Sequence, residues 1–196
     1  MVSLSKNQTV SLSKQAPLLG HLTFGLGWDP IIKKKGFLGS FLGKSESAID
    51  LDASCVLLDA QGHQIDLIWF RQLKSHCQSI LHSGDNLTGE GDGDDETIEV
   101  DLTSLPSHVE YLVFTVNSFR GQTFNEVDNA FCRVVDTVTN KELARYKLAE
   151  QGSHTGIVIA SLQRKQGLWE FTALGVPCKG RIIDEMMPDI VATVLQ

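Results

Sequence analysis

Apolar residues recur at every second position in several short runs, and that period leaves few folds open. In AIDLDASCVLLD (48–59), Ile49, Leu51, Ala53, Cys55 and Leu57 share one face, while Asp50, Asp52 and Ser54 share the other. TIEVDL (97–102) repeats the device, with Ile98, Val100 and Leu102 inward against Glu99 and Asp101. VEYLVFTVNSF (109–119) is long and almost wholly apolar, which suits a central strand covered on both faces. QGHQ (61–64), Thr139-Asn140 and Gln166-Gly167 read as turns, the last two inside hairpins. Six or more such runs, broken by turn residues, predict an antiparallel β-sandwich, mainly β, folded as a single domain over 1–196. One helix is expected at the C-terminus, in IIDEMMPDIVATVLQ (182–196). Pro188 would open its final turns, and Ile190, Val191, Val194 and Leu195 would form its buried stripe.

One stretch belongs to none of these elements. HSGDNLTGEGDGDDE (82–96) places six carboxylates between Asp85 and Glu96, with no basic residue among them. The chain's formal net charge is −7, so this loop holds nearly all of it. Acidity this local points to a cation site. It argues against nucleic acid, which requires a basic stripe. Carboxylates about 6 Å apart repel by roughly 0.7 kcal/mol per pair even at the dielectric constant of water. An ordered loop of this kind therefore calls for counterions, and two divalent ions would leave it at −2. The oxygens of Asp85, Asn86, Thr88, Glu90, Asp92, Asp94, Asp95 and Glu96, set among four glycines, suit calcium. Calcium takes six to eight oxygen ligands in flexible geometry, whereas magnesium prefers few carboxylates and keeps its waters. The spacing is not that of an EF-hand, and a strand follows instead of a helix. Asp29, Asp50 and Asp52 are further candidates, although each alone reads as a surface residue.

A second segment is also irregular. DPIIKKKGFLGSFLGKSES (29–47) combines Lys33, Lys34 and Lys35 with Phe37, Leu38, Phe41 and Leu42 among glycines. It reads as a long loop inserted at about 30–47, basic at its base and apolar at its tip. Residues 33–43 are a candidate for peripheral contact with an anionic membrane or with a partner. The chain has no apolar run of about 18 residues, as a spanning helix needs, and its N-terminus lacks the apolar core of a signal peptide. A cytoplasmic location is expected, with recruitment to the inner face of the membrane as a refinement. The four cysteines form no CxxC pair, and Cys55 and Cys132 lie in strand-like runs as buried free thiols.

FGLGWD (24–29), DLDAS (50–54), the acidic loop and RYKLAE (145–150) occur in this order, with VSLSK near the start and WEFTALG late in the chain. Together they resemble the TerD family of tellurium-resistance and stress-response proteins. The insertion and FTVNSFRGQTFNEVDNAFCRVVD (114–136) make the chain most like the TerZ branch. The resemblance implies a calcium-binding, non-enzymatic β-sandwich of the cytoplasm. Such proteins act with other Ter proteins, one of them membrane-embedded, in resistance to tellurite, phage and colicins. The calcium ligands it implies are Asp85, Asn86, Asp94, Asp95 and Glu96, with Asp92 in the same stretch. The rival reading is a metal-dependent hydrolase that holds catalytic ions in the loop and uses His82 or Ser83 as base or nucleophile. No GxSxG, HExxH or phosphate loop supports it. Tellurite capture by thiols is weaker still, because Cys55 and Cys132 are expected to be buried.

Overall fold

The computed structural model describes residues 1–31, 50–86, 93–118 and 120–195, so the insertion and the middle of the acidic loop lie outside the described residues. Two six-stranded sheets face each other. Sheet A contains β1 (Val2–Leu4), β3 (His21–Pro30), β6 (Ile80–His82), β7 (Glu96–Asp101), β9 (Val127–Asp136) and β10 (Lys141–Lys147), in the order β1-β10-β9-β3-β7-β6. Sheet B contains β2 (Thr9–Ser11), β4 (Asp52–Leu58), β5 (Gln64–Ile68), β8 (Tyr111–Asn117), β11 (Gly156–Lys165) and β12 (Leu168–Cys178), in the order β2-β12-β11-β8-β4-β5. Every pairing is antiparallel except β1 with β10.

The predicted turns form for local reasons. Gln166 and Gly167 both have positive φ, the geometry that lets two residues close a twisted hairpin. Asn140 closes the β9–β10 turn the same way, and Gly62 does so between β4 and β5. Leu51, Ala53, Cys55 and Leu57 enter the core between the sheets as the alternation predicts, beside Phe24 stacked on Phe114 at 4.0 Å. β8 is buried on both faces, because a helix covers the outer side of sheet B.

That helix, α2 (Ile183–Val194), departs from the expected register. It begins five residues before Pro188, which therefore lies inside it. Its buried stripe is Ile183, Met186 and Ile190, packed on Val56, Leu58, Val113 and Val158. Of the expected stripe only Ile190 is fully buried, and Leu195 is exposed near Gly62. Acidic Asp184 and Glu185 favour the earlier start, since the first turn of a helix attracts negative charge. A short helix, α1 (Leu12–Gln15), follows β2 and buries Leu12.

β3 has no counterpart among the predicted strands, yet it lies in the middle of sheet A between β9 and β7. Its glycines make FGLGWD look like a turn. The signal lay in Leu22, Phe24, Leu26 and Trp28, which alternate inward while Gly25 and Gly27 face out.

Candidate metal centre

Both Asp50 and Asp52 are buried, at 6% and 4% exposure, contrary to their reading as surface residues. Asp52 opens β4 at the rim of sheet B, and Asp50 lies two residues before it. Asp85 reaches them from the connection between β6 and β7 of sheet A. Each of the three carboxylates places an oxygen within 4.8 Å of the other two. At that separation a pair of negative charges repels by about 1 kcal/mol in water, and by about 3 kcal/mol at an effective dielectric constant near 20. Asp50 meets a cation directly. Arg120 Nε donates to Asp50 Oδ2 at 2.8 Å. Asp50 Oδ1 is buried and meets no hydrogen-bond donor among the described residues. Burial raises the pKa of Asp50, Arg120 opposes the shift, and the charge of Asp85 adds to it.

Below this cluster lies the join between the two sheets. β5 pairs with β4 only from Cys55 onward, so the backbone of Ala53 on that edge needs other partners. Sheet A supplies them through side chains. Glu96 Oε2 accepts from Ala53 N at 2.7 Å, and Nε2 of His82 donates to Ala53 O at 3.0 Å. The other oxygen of Glu96 accepts from Asn86 N at 3.0 Å, which ties the acidic loop to the same carboxylate. Glu96 is pushed up to about 8 by burial; its two amide donors oppose this, while Asp52 and Asp85 add to it. Nδ1 of His82 accepts from Gly84 N at 2.9 Å, so the ring is the neutral tautomer protonated on Nε2. Burial lowers its pKa further. Both ring nitrogens thus serve backbone groups, and the hydrolase reading loses the general base it named. The Oγ of Ser83 accepts from Thr97 N at 3.0 Å.

Asp29, Asp94 and Asp95 settle along β3 instead of in the cluster. The return limb of the loop crosses the outer face of sheet A. Asp95 N donates to Leu26 O at 2.7 Å, and Asp95 Oδ2 accepts from Trp28 N at 2.8 Å. Asp94 forms a two-armed ion pair with Arg133 of β9, at 2.8 and 2.9 Å. Arg133 also meets Glu142, which holds Arg145, and Arg145 lies over the Phe131 ring at 4.4 Å. Asp29 Oδ2 accepts from Asn129 Nδ2 at 3.0 Å. Asp95 is raised mainly by burial, against its bond from Trp28, with Asp29 and Asp94 adding to the rise. The two glycines of β3 make room for this crossing. A Cβ at Gly25 would strike the Asp94 carboxylate, and one at Gly27 would lie 2.5 Å from Gly93 O.

Of the sequence-predicted ligands, then, Asp50, Asp52 and Asp85 converge. Asn86 and Glu96 brace that cluster from below. Asp29, Asp94 and Asp95 lie along β3 and engage amide or guanidinium donors. Asp92, with Thr88 and Glu90, lies outside the described residues. Arg120 and Arg133 were not anticipated, because nothing local in the chain ties them to carboxylates that are distant in sequence.

Comparison with known proteins agrees with this architecture. A family model described as the TerD domain matches residues 1–189. The tellurium resistance protein TerZ of Serratia marcescens is 67% identical over 196 residues, spanning the whole of both chains. The stress response protein SCP2 of Bacillus subtilis is 41% identical over 89% of this chain and 91% of its own. The crystal structure of a homologue of telluride resistance protein (TerD) from Streptomyces coelicolor shares the fold, with a TM-score of 0.67 at 19% identity, over 86% of this chain and 95% of that one. With the family motifs seated on a two-sheet sandwich and a full-length relative this close, the chain belongs to the TerD family of tellurium-resistance proteins.

Proposed function

We propose that the chain binds calcium at Asp50, Asp52 and Asp85, and that it serves as an interaction module among the Ter proteins in tellurium resistance and stress response. The buried Asp50 carries the reading: one of its oxygens meets no donor among the described residues, and two further carboxylates lie within 4.8 Å. The donors are all oxygen, as a hard cation prefers. Three carboxylates against the Arg120 guanidinium leave a formal charge of −2, which one divalent ion balances. A second ion, as the loop's charge density suggests, would draw on Asp92 and its neighbours, and binding stoichiometry would reveal it.

Calcium would supply an electrostatic bridge there, and the chain's own residues determine what it bridges. Asp52 opens β4 of sheet B and Asp50 lies two residues before it, while Asp85 hangs from sheet A. Holding the three together fastens the acidic loop to the rim of the opposite sheet and fixes a surface for a partner. The basic and apolar residues 33–43 are proposed to contribute to that docking, toward a membrane-embedded Ter protein or the inner face of the membrane itself. No helix among the described residues is long and apolar enough to cross a membrane.

Thermal melting with calcium, with magnesium and with chelator tests the site. At free calcium about 100 times Kd, one site adds roughly 2.7 kcal/mol. The Asp50→Asn, Asp85→Asn double variant should lose that gain while melting no lower than wild type in chelator. A wild-type melting temperature indifferent to calcium would refute the site. Co-purification from the native cell with and without chelator tests the partner role, and deletion of 33–43 tests the docking segment.

A further inference from the structure

The calcium reading leaves one buried amide unexplained. Asn117 ends β8 and pairs directly with Asp52 across the sheet. Directly paired residues project from the same face with their Cβ atoms about 5 Å apart, so the Asn117 side chain emerges beside the carboxylates of Asp52 and Asp50. Asn117 is 5% exposed, and its Oδ1 is buried with no hydrogen-bond partner among the described residues. Its orientation is fixed from the other end, because Nδ2 donates to Arg181 O at 2.9 Å. Flipping the amide would press Oδ1 against that carbonyl and leave the NH₂ group on the acidic side. The hydrogen-bond network therefore keeps the oxygen toward the carboxylates.

The result is two acceptors on one face of the sheet: the carbonyl oxygen of Asn117 and a carboxylate oxygen of Asp50, both buried and neither meeting a donor among the described residues. Buried polar atoms normally find partners, and the cost of failing rises with burial. A metal ion between them satisfies both at once. The neighbouring rungs show where this polar ground ends. Ser54 pairs with Thr115 one step further along the strands, and Val56 pairs with Val113 beyond that, under α2.

Resting on the calcium reading above, we infer that Asn117 Oδ1 is a ligand of the ion held by Asp50, Asp52 and Asp85. Nothing in the acidic motif points to this residue. As a neutral oxygen it adds a ligand without adding charge, so the site with Arg120 stays at −2 and matched to a divalent cation. Sheet B then supplies ligands from two adjacent strands, β4 and β8, and the loop closes over them.

Calcium titration by calorimetry, with terbium luminescence lifetimes in H₂O and D₂O, tests the assignment on the full chain as wild type, Asn117→Ala and Asn117→Asp. Loss of a ligand should weaken calcium binding by about tenfold or more in Asn117→Ala, since even residues that merely brace metal ligands are worth that much. The number of waters on bound terbium should rise by about one. Asn117→Asp keeps the oxygen and adds charge. It should retain calcium and raise the preference for terbium over calcium. Both variants lose the bond to Arg181, so melting in chelator reports that structural loss separately. Equal loss of binding in the two variants, tracking an equal loss of stability, would make Asn117 a structural residue and overturn the inference. Calcium affinity within twofold of wild type in Asn117→Ala, with unchanged terbium hydration, would overturn it as well. A wild type that binds neither ion would overturn the inference together with the reading it rests on.

Discussion

Replacing Gly27 with alanine should unsettle the acidic loop from a distance, by space alone. Gly27 has no positive φ, so alanine adopts its backbone without strain there. The added Cβ, however, would lie 2.5 Å from Gly93 O and 2.6 Å from two ring carbons of Phe131. Ordinary contact begins near 3.4 Å, so something must retreat by about 0.9 Å. Neither neighbour is free to do so. Gly93 is two residues from Asp95, whose backbone and side chain are fastened to Leu26 and Trp28 on either side of Gly27. Phe131 is held under Arg145. Overpacking of this kind costs about 1–3 kcal/mol. For a domain of this size each kcal/mol lowers the melting temperature by about 2–4 °C, so a fall of roughly 3–10 °C is expected in chelator. The loop displacement should also weaken calcium, so that the variant recovers less in saturating metal than wild type gains. Calorimetry in chelator and in calcium measures both effects. A variant melting within 1 °C of wild type under both conditions would show that the loop does not cross β3 at this point.

Arg120→Gln removes a positive charge from beside the proposed ion; a divalent ion about 4 Å from a unit charge in water is repelled by about 2 kcal/mol, so calcium should bind roughly thirtyfold tighter at low salt, and the gain should shrink in high salt. Weaker binding would mean that Arg120 serves to position Asp50. His82→Ala should destabilise the chain by about 2–4 kcal/mol in urea, because it leaves Ala53 O and Gly84 N without partners, and full stability would refute that linkage. Among the thiols, burial opposes ionisation of Cys77, but the Ser75 and Ser79 hydroxyls outweigh it and lower its pKa. Alkylation of Cys77 should therefore reach half-maximal rate below pH 9, while Cys55 and Cys132, raised by burial, and Cys178, pushed up to about 12 by burial and Asp189, should react only on unfolding. Mass mapping at graded pH decides the order.

Elements with local causes were legible in the chain. The hairpins announced themselves through Asn140 and Gln166-Gly167, and the inward face of β4 through its alternation. β8 was readable as doubly covered because its residues are apolar on both sides. What escaped depended on partners far away in sequence. β3 looked like a turn because its outward residues are glycines, and they are glycines because residues 93–95 lie against them. Asp50 and Asp52 looked exposed because a carboxylate is buried only where something compensates it, and Arg120 and Asp85 are 70 and 35 residues from Asp50. The ion pair of Asp94 was not legible, because its partner Arg133 becomes visible only when β9 is laid beside β3. The helix was read from the wrong end because Pro188 is a stronger signal than the acidic turn before it.

The strand orders have a consequence for how the molecule is made. The first two strands go to different sheets, β1 beside β10 and β2 beside β12. Next to arrive, β3 must wait for β9 on one side and β7 on the other. A ribosome that has released residues 1–117 has therefore delivered no complete layer, only the partial sheets β3-β7-β6 and β8-β4-β5, with β1 and β2 still lacking their neighbours. At about 5–20 residues per second, β1 and β2 are exposed for roughly 10–30 s before β10 and β12 emerge. The nascent chain depends on chaperones or on the slowness of aggregation throughout that interval. A stop codon anywhere before the end of β12 leaves open strand edges, and such truncations should appear in inclusion bodies instead of as smaller soluble domains.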